Sequence, residues 1–266
     1  MSETIILEGR GLRKEFGGLV AVADVNIQVR TGDLHSIIGP NGAGKTTLFN
    51  LLTGNLKPTR GMVLFKGEDI TRQPLHRRVH LGIGRSFQIT NIFPNLTVLE
   101  NVRLAAQARG SDSFKFWRHY RSLKQYMDTA MQAISQVGLS DKLNVPAVIL
   151  PHGDQRKLEL AILLASDAEL LLLDEPTAGM ATEQVPSLIE TIRRIRQTSQ
   201  KTIMLVEHNM NVVMNISDRI TVMHQGEVLA EGTPSEITRN ELVQKAYLGE
   251  LYGNFADVIQ GVQDEE

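Results

Sequence analysis

The sequence predicts an α/β fold with a mostly parallel, three-layer core, an N-terminal antiparallel β layer and an inserted α-helical subdomain. Three observations carry this. Short apolar runs alternate with stretches of helical spacing, the pattern of a parallel sheet covered by helices. Residues 5–30 alternate apolar and polar side chains instead, the period of a half-buried hairpin. Residues 97–137 turn helical and interrupt the α/β alternation.

The elements follow in order. Ile5-Ile6-Leu7 and residues 22–29 form the antiparallel layer ahead of the core. Leu34-His35-Ser36-Ile37-Ile38 reads as a strand and Thr47-Leu48-Phe49-Asn50-Leu51-Leu52 as a helix. Between them, Gly39-Pro40-Asn41-Gly42-Ala43-Gly44-Lys45-Thr46 fits the phosphate-binding P-loop pattern without a mismatch. Its glycines let backbone N–H groups close around phosphate oxygens, and the helix aims its positive end at the same anion. Lys45 reaches the β- and γ-phosphates, the Thr46 hydroxyl sits on Mg²⁺, and Thr47 closes the run of nucleotide contacts. Gly61-Met62-Val63-Leu64-Phe65 is a further strand.

In the helical stretch, Val98, Asn101-Val102 and Leu104-Ala105 mark one amphipathic face. Leu123, Tyr126-Met127, Ala130-Met131 and Ile134 mark a second. Gly110-Ser111-Asp112-Ser113 is a loop inside it, and Gly138 suits a helix C-terminus. Pro151 suits a helix start, with Leu158, Ala161-Ile162 and Leu164-Ala165 spaced helically after it. Leu170-Leu171-Leu172-Leu173-Asp174 is a strand whose carboxylate emerges at its C-terminal end, where P-loop proteins hold Mg²⁺. Glu175 follows directly and can stand beside the γ-phosphate to polarise water. Val185, Leu188-Ile189, Ile192 and Ile195 keep helical spacing, and residues 201–206 form a buried strand. The acidic tail at 260–266 reads as frayed.

Composition narrows the class. At 266 residues, 42% hydrophobic and 22% charged, the chain is long enough for one large α/β domain. A net charge of −2 demands no nucleic-acid backbone as partner. The absence of cysteine removes disulfides and thiolate metal sites. No secretory signal is visible after Met1, and the apolar stretch 161–173 is too short and too charged to span a bilayer. Any membrane role therefore runs through a partner subunit.

The P-loop, Gln88, a signature-like segment at 150–155, Asp174-Glu175 and His208 stand in the order of ABC-type ATPases, which the chain resembles over about residues 5–250. The resemblance implies a subunit that binds and hydrolyses ATP with Mg²⁺ at an interface shared head-to-tail with a second copy or a related chain. It implies that Phe16 stacks on the adenine, a core aromatic being the alternative reading. Thr46, Asp174 and Gln88 would serve the metal, with Gln88 also sensing the attacking water. Glu175 would be the general base and His208 would contact the γ-phosphate. Pro151, His152, Gly153 and Asp154 would present the signature to the nucleotide. Here the usual Leu-Ser-Gly-Gly-Gln reads Leu150-Pro151-His152-Gly153-Asp154, and Ala181 replaces the aspartate that closes the next loop. The implied layout is one domain over 1–266. A nucleotide-binding core covers 1–96 and 162–250, a helical subdomain with the signature covers 97–161, and a tail covers 251–266.

Shorter strings narrow the likeness: Gly82-Ile83-Gly84-Arg85-Ser86-Phe87-Gln88, Asn95-Leu96-Thr97-Val98-Leu99-Glu100-Asn101, Ala178-Gly179-Met180, Val206-Glu207-His208-Asn209-Met210 and Ala246-Tyr247-Leu248-Gly249. These are similar to ATPase subunits of importers for branched-chain amino acids, urea and short amides. The implied partners are two membrane permease subunits and, indirectly, an extracytoplasmic binding protein. The implied location is the cytoplasmic face of the inner membrane. Phe114, Phe116, Trp117 and Tyr120 with Lys115, Arg118, Arg121 and Lys124 read as packing with a solvated basic edge, or as a surface near the permease. A soluble ABC ATPase remodelling a cytosolic assembly is the alternative from another class. An exporter subunit is a third reading.

Overall fold

The computed structural model describes residues 4–86, 92–109 and 120–248. Gln88, the loop at 110–113, the aromatic and basic residues at 114–118 and the C-terminal tail lie outside the described residues. In chain order the elements are β1 (Ile5–Phe16), β2 (Leu19–Arg30), β3 (Leu34–Ile38), α1 (Lys45–Thr53), β4 (Arg60–Phe65), β5 (Glu68–Asp69), α2 (Leu75–Leu81) and β6 (Ile83–Arg85). They continue with α3 (Val98–Arg109), α4 (Tyr120–Gln136), α5 (His152–Ala165), β7 (Leu170–Asp174), α6 (Val185–Ser199) and β8 (Thr202–Val206). The last are α7 (Met210–Ile216), β9 (Arg219–His224), β10 (Glu227–Gly232), α8 (Pro234–Arg239) and α9 (Glu241–Leu248). They fall into two compact units, residues 1–75 with 202–266, and residues 76–201.

In the first unit, β1 and β2 form the antiparallel hairpin that the alternation predicts, Phe16 pairing with Leu19 across Gly17-Gly18. The layer continues to β4 and β5 in the order β2-β1-β4-β5. The other sheet of this unit centres on β3, with parallel β8 on one side and parallel β9 on the other. β3 and β8 are buried at every position, so their sequences do not alternate. β10 closes the edge as an antiparallel partner of β9. Ile38, Val213, Ile220, Val222, Ile237, Val243 and Tyr247 join in one buried cluster, which seats α7, α8 and α9. Each such aliphatic side chain contributes roughly 1.5–3 kcal/mol by leaving water. α8 starts with a capping box, Thr233 and Glu236 satisfying each other's backbone N–H groups.

Several polar groups inside this sheet are paired, although the buried His35 Nδ1 is not. Ser36 Oγ lies 2.5 Å from Ser217 Oγ, and Asp218 Oδ2 accepts from the Leu34 amide at 2.7 Å. His35, fully buried on β3, has Nε2 2.8 Å from Thr221 Oγ1. The Thr221 hydroxyl donates to Glu231 at 3.3 Å, so it accepts from His35, whose ring is therefore the neutral Nε2–H tautomer. Burial pushes this imidazole down to about 4, against a smaller opposing pull from Glu231.

In the second unit, β6 runs parallel to β7, with Ile83 opposite Leu170 and Arg85 opposite Leu172. Leu170 to Leu173 are all fully buried. α6 buries Leu188, Ile189, Ile192 and Ile195, the face its spacing predicts. Gly138 ends α4 with φ 76, as its position suggests. α3 opens on a capping box. Thr97 Oγ1 accepts from the Glu100 amide and Glu100 Oε2 accepts from the Thr97 amide, both at 3.2 Å. Asn101, on the same helix and 2% exposed, clamps the preceding loop. Its amide donates to the carbonyls of Phe93, Leu96 and Thr97, and its oxygen accepts from the Phe93 amide at 2.8 Å. No helix among the described residues is long and apolar enough to cross a membrane.

Candidate functional site

The glycine-rich run leaves the C-terminal end of β3 and turns into α1. Gly44 is the N-cap of α1, in the left-handed region at φ 95. A Cβ there would stand 2.4 Å from the Ala21 carbonyl, so only glycine fits. Gly39 is confined in the same way, its absent Cβ facing the Met223 carbonyl at 2.2 Å. The turn between β9 and β10 braces the loop from outside, the Gly226 amide donating to the Ala43 carbonyl at 3.0 Å. No side chain caps α1 at its N-terminus, so its first amides face the loop. Lys45 is buried, with Nζ donating to the carbonyls of Gly39 at 2.5 Å and Pro40 at 2.9 Å. Asn41, Gly42 and Thr46 are exposed around the loop, and Thr47 is half-buried.

His208 lies two residues past Val206, which pairs with Ile37 in the parallel β3–β8 ladder. Gly39 lies two residues past Ile37, so parallel register sends the loop and His208 out at the same sheet edge. The His208 side chain is exposed, and its amide donates to the buried Glu207 carboxylate at 3.2 Å. Asn209 then caps α7. Phe16, at the end of β1, is 47% exposed, with Lys14 Nζ 5.1 Å from its ring centroid. That exposure excludes the core-aromatic alternative.

In the second unit, Asp174 ends β7 and is 2% exposed. Its amide donates to Ser86 Oγ at 3.1 Å, and its Oδ2 accepts from the Arg85 guanidinium at 3.3 Å. Both partners come from the end of β6, which the parallel β6–β7 register brings alongside. Asp174 Oδ1 is buried with no hydrogen-bond partner. Burial raises the Asp174 carboxyl above the ordinary carboxylate value; Arg85 opposes this and Glu175 adds to it. Burial likewise lowers Arg85, against the pull of Asp174. Glu175 is half-buried at φ 46, in the left-handed region. An acidic side chain in that conformation is strained backbone, held beside a buried carboxylate.

α5 begins with Pro151 as N-cap, whose carbonyl accepts from the amides of Asp154 at 2.9 Å and Gln155 at 3.0 Å. Pro151 supplies no side-chain cap. A Cβ on Gly153 would meet Gln184 Oε1 at 3.1 Å, and one on Gly179 would meet the His152 ring at 3.6 Å. The signature segment therefore packs on the loop that follows Glu175. The Asp154 carboxylate is held in an ion pair by Lys142. Within each unit, then, the site residues named from sequence gather as sets: the loop with His208, and Asp174-Glu175 with α5. Gln88 lies outside the described residues. Sequence reasoning gave Arg85 and Ser86 no role beyond membership of a string, because theirs arises from strand register, and it placed Asn101 on a helix face without foreseeing the clamp.

Comparisons with known proteins give the family. Residues 22–178 match the ABC transporter family, and residues 227–252 match the branched-chain amino acid ATP-binding cassette transporter family. The chain is 40% identical over 250 residues to the high-affinity branched-chain amino acid transport ATP-binding protein LivG of Escherichia coli (strain K12), covering 92% of this chain and 98% of that one. It is similar to the ADP conformation of MJ1267, an ATP-binding cassette of an ABC transporter, with TM-score 0.80, 30% identity and coverage of 92% and 99%. It is also similar to the dimeric structure of MJ0796, a bacterial ABC transporter cassette, with TM-score 0.73, 25% identity and coverage of 86% and 99%. With Gly39 and Gly44 of the phosphate loop too closely approached to carry a Cβ, and a family match spanning that loop, this chain belongs to the ABC transporter family as an ATP-binding, ATP-hydrolysing cassette.

Proposed function

We propose that this chain energises an importer of branched-chain amino acids or closely related small solutes. It would act as one of two ATPase subunits beneath two membrane permease subunits, fed by an extracytoplasmic binding protein. The observation that carries the solute assignment is the match at residues 227–252. It covers β10, α8 and α9 rather than the P-loop, so ATP binding alone does not account for it. LivG, similar along nearly its whole length, supports the same reading.

The residues divide the work as follows. The loop amides from Gly39 to Thr47 and Lys45 hold the phosphates. Phe16 offers an exposed ring to the adenine. Asp174 Oδ1, buried and without a hydrogen-bond partner, would suit an acceptor for Mg²⁺ or a water on it, and the Thr46 hydroxyl would be the P-loop's ligand to the metal. When bound, Mg²⁺ would neutralise phosphate charge. Arg85 and Ser86 hold Asp174 in orientation. Glu175 accepts the proton of the attacking water, Gln88 orients that water, and His208 donates to the γ-phosphate. The N-terminus of α5, with Pro151, His152, Gly153 and Asp154, reaches the nucleotide of the partner subunit. The layout of core at 1–96 and 162–250, helical subdomain at 97–161 and tail at 251–266 belongs to this reading. So does peripheral placement on the inner membrane through the permeases.

The test is co-extraction and reconstitution. The chain should leave membranes in detergent with hydrophobic subunits, and ATPase activity of that complex in liposomes should rise with leucine-loaded binding protein. Extraction without any membrane subunit would favour a soluble role instead.

A further inference from the structure

The loop after α1 and the edge of the antiparallel layer enclose a groove of about 440 Å³ in the first unit. Its walls carry Lys57, Arg60 and Arg72, all exposed, and among the described residues none of the three forms an ion pair. The carboxylate lining the groove, Asp69, turns Oδ1 to its own chain, accepting from the Thr71 amide at 2.8 Å and the Thr71 hydroxyl at 2.5 Å. Thr59 Oγ1 accepts from the Glu15 amide at 3.1 Å, which leaves its O–H to donate.

The basic charge is not edge protection: the outer strand β5 is Glu68-Asp69, and Lys57, Arg60 and Arg72 lie off it. Instead Arg60 stands directly opposite Arg13 across the β1–β4 ladder, an arrangement that costs stability between like charges. Glu15 holds the Arg13 guanidinium at 2.7 Å, so the Arg60 charge is the one presented to the groove. Two guanidinium forks and an ammonium around one concavity match the oxygens of linked phosphate groups. The groove is separate from the P-loop. It follows the C-terminal end of α1, a nine-residue helix about 14 Å long whose N-terminus faces the loop.

We infer that this groove is a second anion site, which takes a compact polyanion of two or three linked phosphates or the clustered phosphates of lipid headgroups. It does not depend on the transported solute. The test uses the full chain carrying Lys45→Ala, to weaken the P-loop, and the same chain with Arg60→Gln and Arg72→Gln added. Inorganic tripolyphosphate is titrated calorimetrically into both, and both are sedimented with phosphatidylglycerol and with phosphatidylcholine vesicles. The expected result is saturable binding to the first protein that falls about tenfold or more in the second and weakens as salt rises. Loss of the calorimetric signal assigns a soluble polyanion, and loss confined to phosphatidylglycerol sedimentation assigns headgroups. Equal binding by the two proteins in both arms, or none by either, overturns the site. Arg60→Gln with Arg72→Gln in the otherwise native chain should hydrolyse ATP at the native rate, which shows that the fold is intact.

Discussion

Glu175 occupies a backbone conformation that costs an ordinary side chain about 1–2 kcal/mol, and its neighbours hold it there. The Ala178 amide donates to its carbonyl at 3.0 Å, and the next two residues, Pro176 and Thr177, are buried. Glu175→Gln keeps that shape but cannot accept a proton. We expect it to bind ATP with native affinity and to lose hydrolysis by about 10²–10⁴-fold, read by single-turnover kinetics beside calorimetry. Native turnover would remove Glu175 from the role of base. Asp174 and Glu175 were legible in the sequence because an apolar strand running into two carboxylates, paired with a P-loop, has few other meanings. Arg85 and Ser86 were not, since nothing in sequence says that β6 lies beside β7. Phe16 lost its core-aromatic reading once its exposure was known.

At the scale of elements, two helix N-termini decide local behaviour. α5 starts on a proline that offers its first amides no side-chain acceptor. Pro151→Ser should add a cap worth about 1 kcal/mol, raising the melting temperature by a few degrees, while ATPase activity changes only modestly. A Cβ at Gly153 meets the ends of the Gln184 and Met180 side chains, both flexible, so the fold should tolerate Gly153→Asp. A carboxylate there would face phosphate, and hydrolysis should be abolished; a normal rate would mean that α5 does not complete a site. α3 depends on Asn101. Asn101→Ala removes the side-chain clamp from the loop at residues 93–97 and takes the acceptor from the Phe93 amide, while the Phe93, Leu96 and Thr97 carbonyls keep their backbone donors. We expect a loss of about 2–3 kcal/mol, measured by denaturant midpoint at unchanged slope. The capping box at Thr97 was readable from its spacing, whereas the clamp was not, because its acceptors are carbonyls placed by a loop. β9 and β10 also escaped sequence reasoning. Their two-residue turn, Gln225-Gly226, has positive φ at both positions, yet glutamine is not the residue that announces such a turn.

For the whole molecule, one pH dependence comes from His35. Its folded value of about 4 lies below the 6.5 of an exposed imidazole, so the unfolded chain binds the extra proton between them. The stabilisation is complete above about pH 6.5 and is lost as pH falls toward about 4, amounting to ~3 kcal/mol. His35→Gln keeps a donor for Thr221 without titrating. Its unfolding free energy should be flatter across that window, and an equal slope would assign the effect elsewhere. Assembly is the second global property. The chain alone should sediment as a monomer, and Glu175→Gln with ATP as a dimer, because the nucleotide bridges the two copies; a stable dimer without nucleotide would contradict this. The α/β class and the hairpin layer were legible from periodicity, which reports burial. The polar pairs inside the sheet were not, because period says nothing about which strands become neighbours.

The turn at Gln225-Gly226 has a practical consequence for building hybrids. Gly226 ties β2 to the phosphate loop, its carbonyl accepting from Ala23 at 2.8 Å and its amide reaching Ala43 at 3.0 Å. The stretch that distinguishes the branched-chain family begins at the very next residue. A graft that exchanges C-terminal segments between relatives at that boundary would put its seam on the loop's outer brace. Joining ahead of Arg219, where β9 begins, carries the brace across whole, so that any change in the hybrid reports the transplanted segment and not a loosened phosphate cradle.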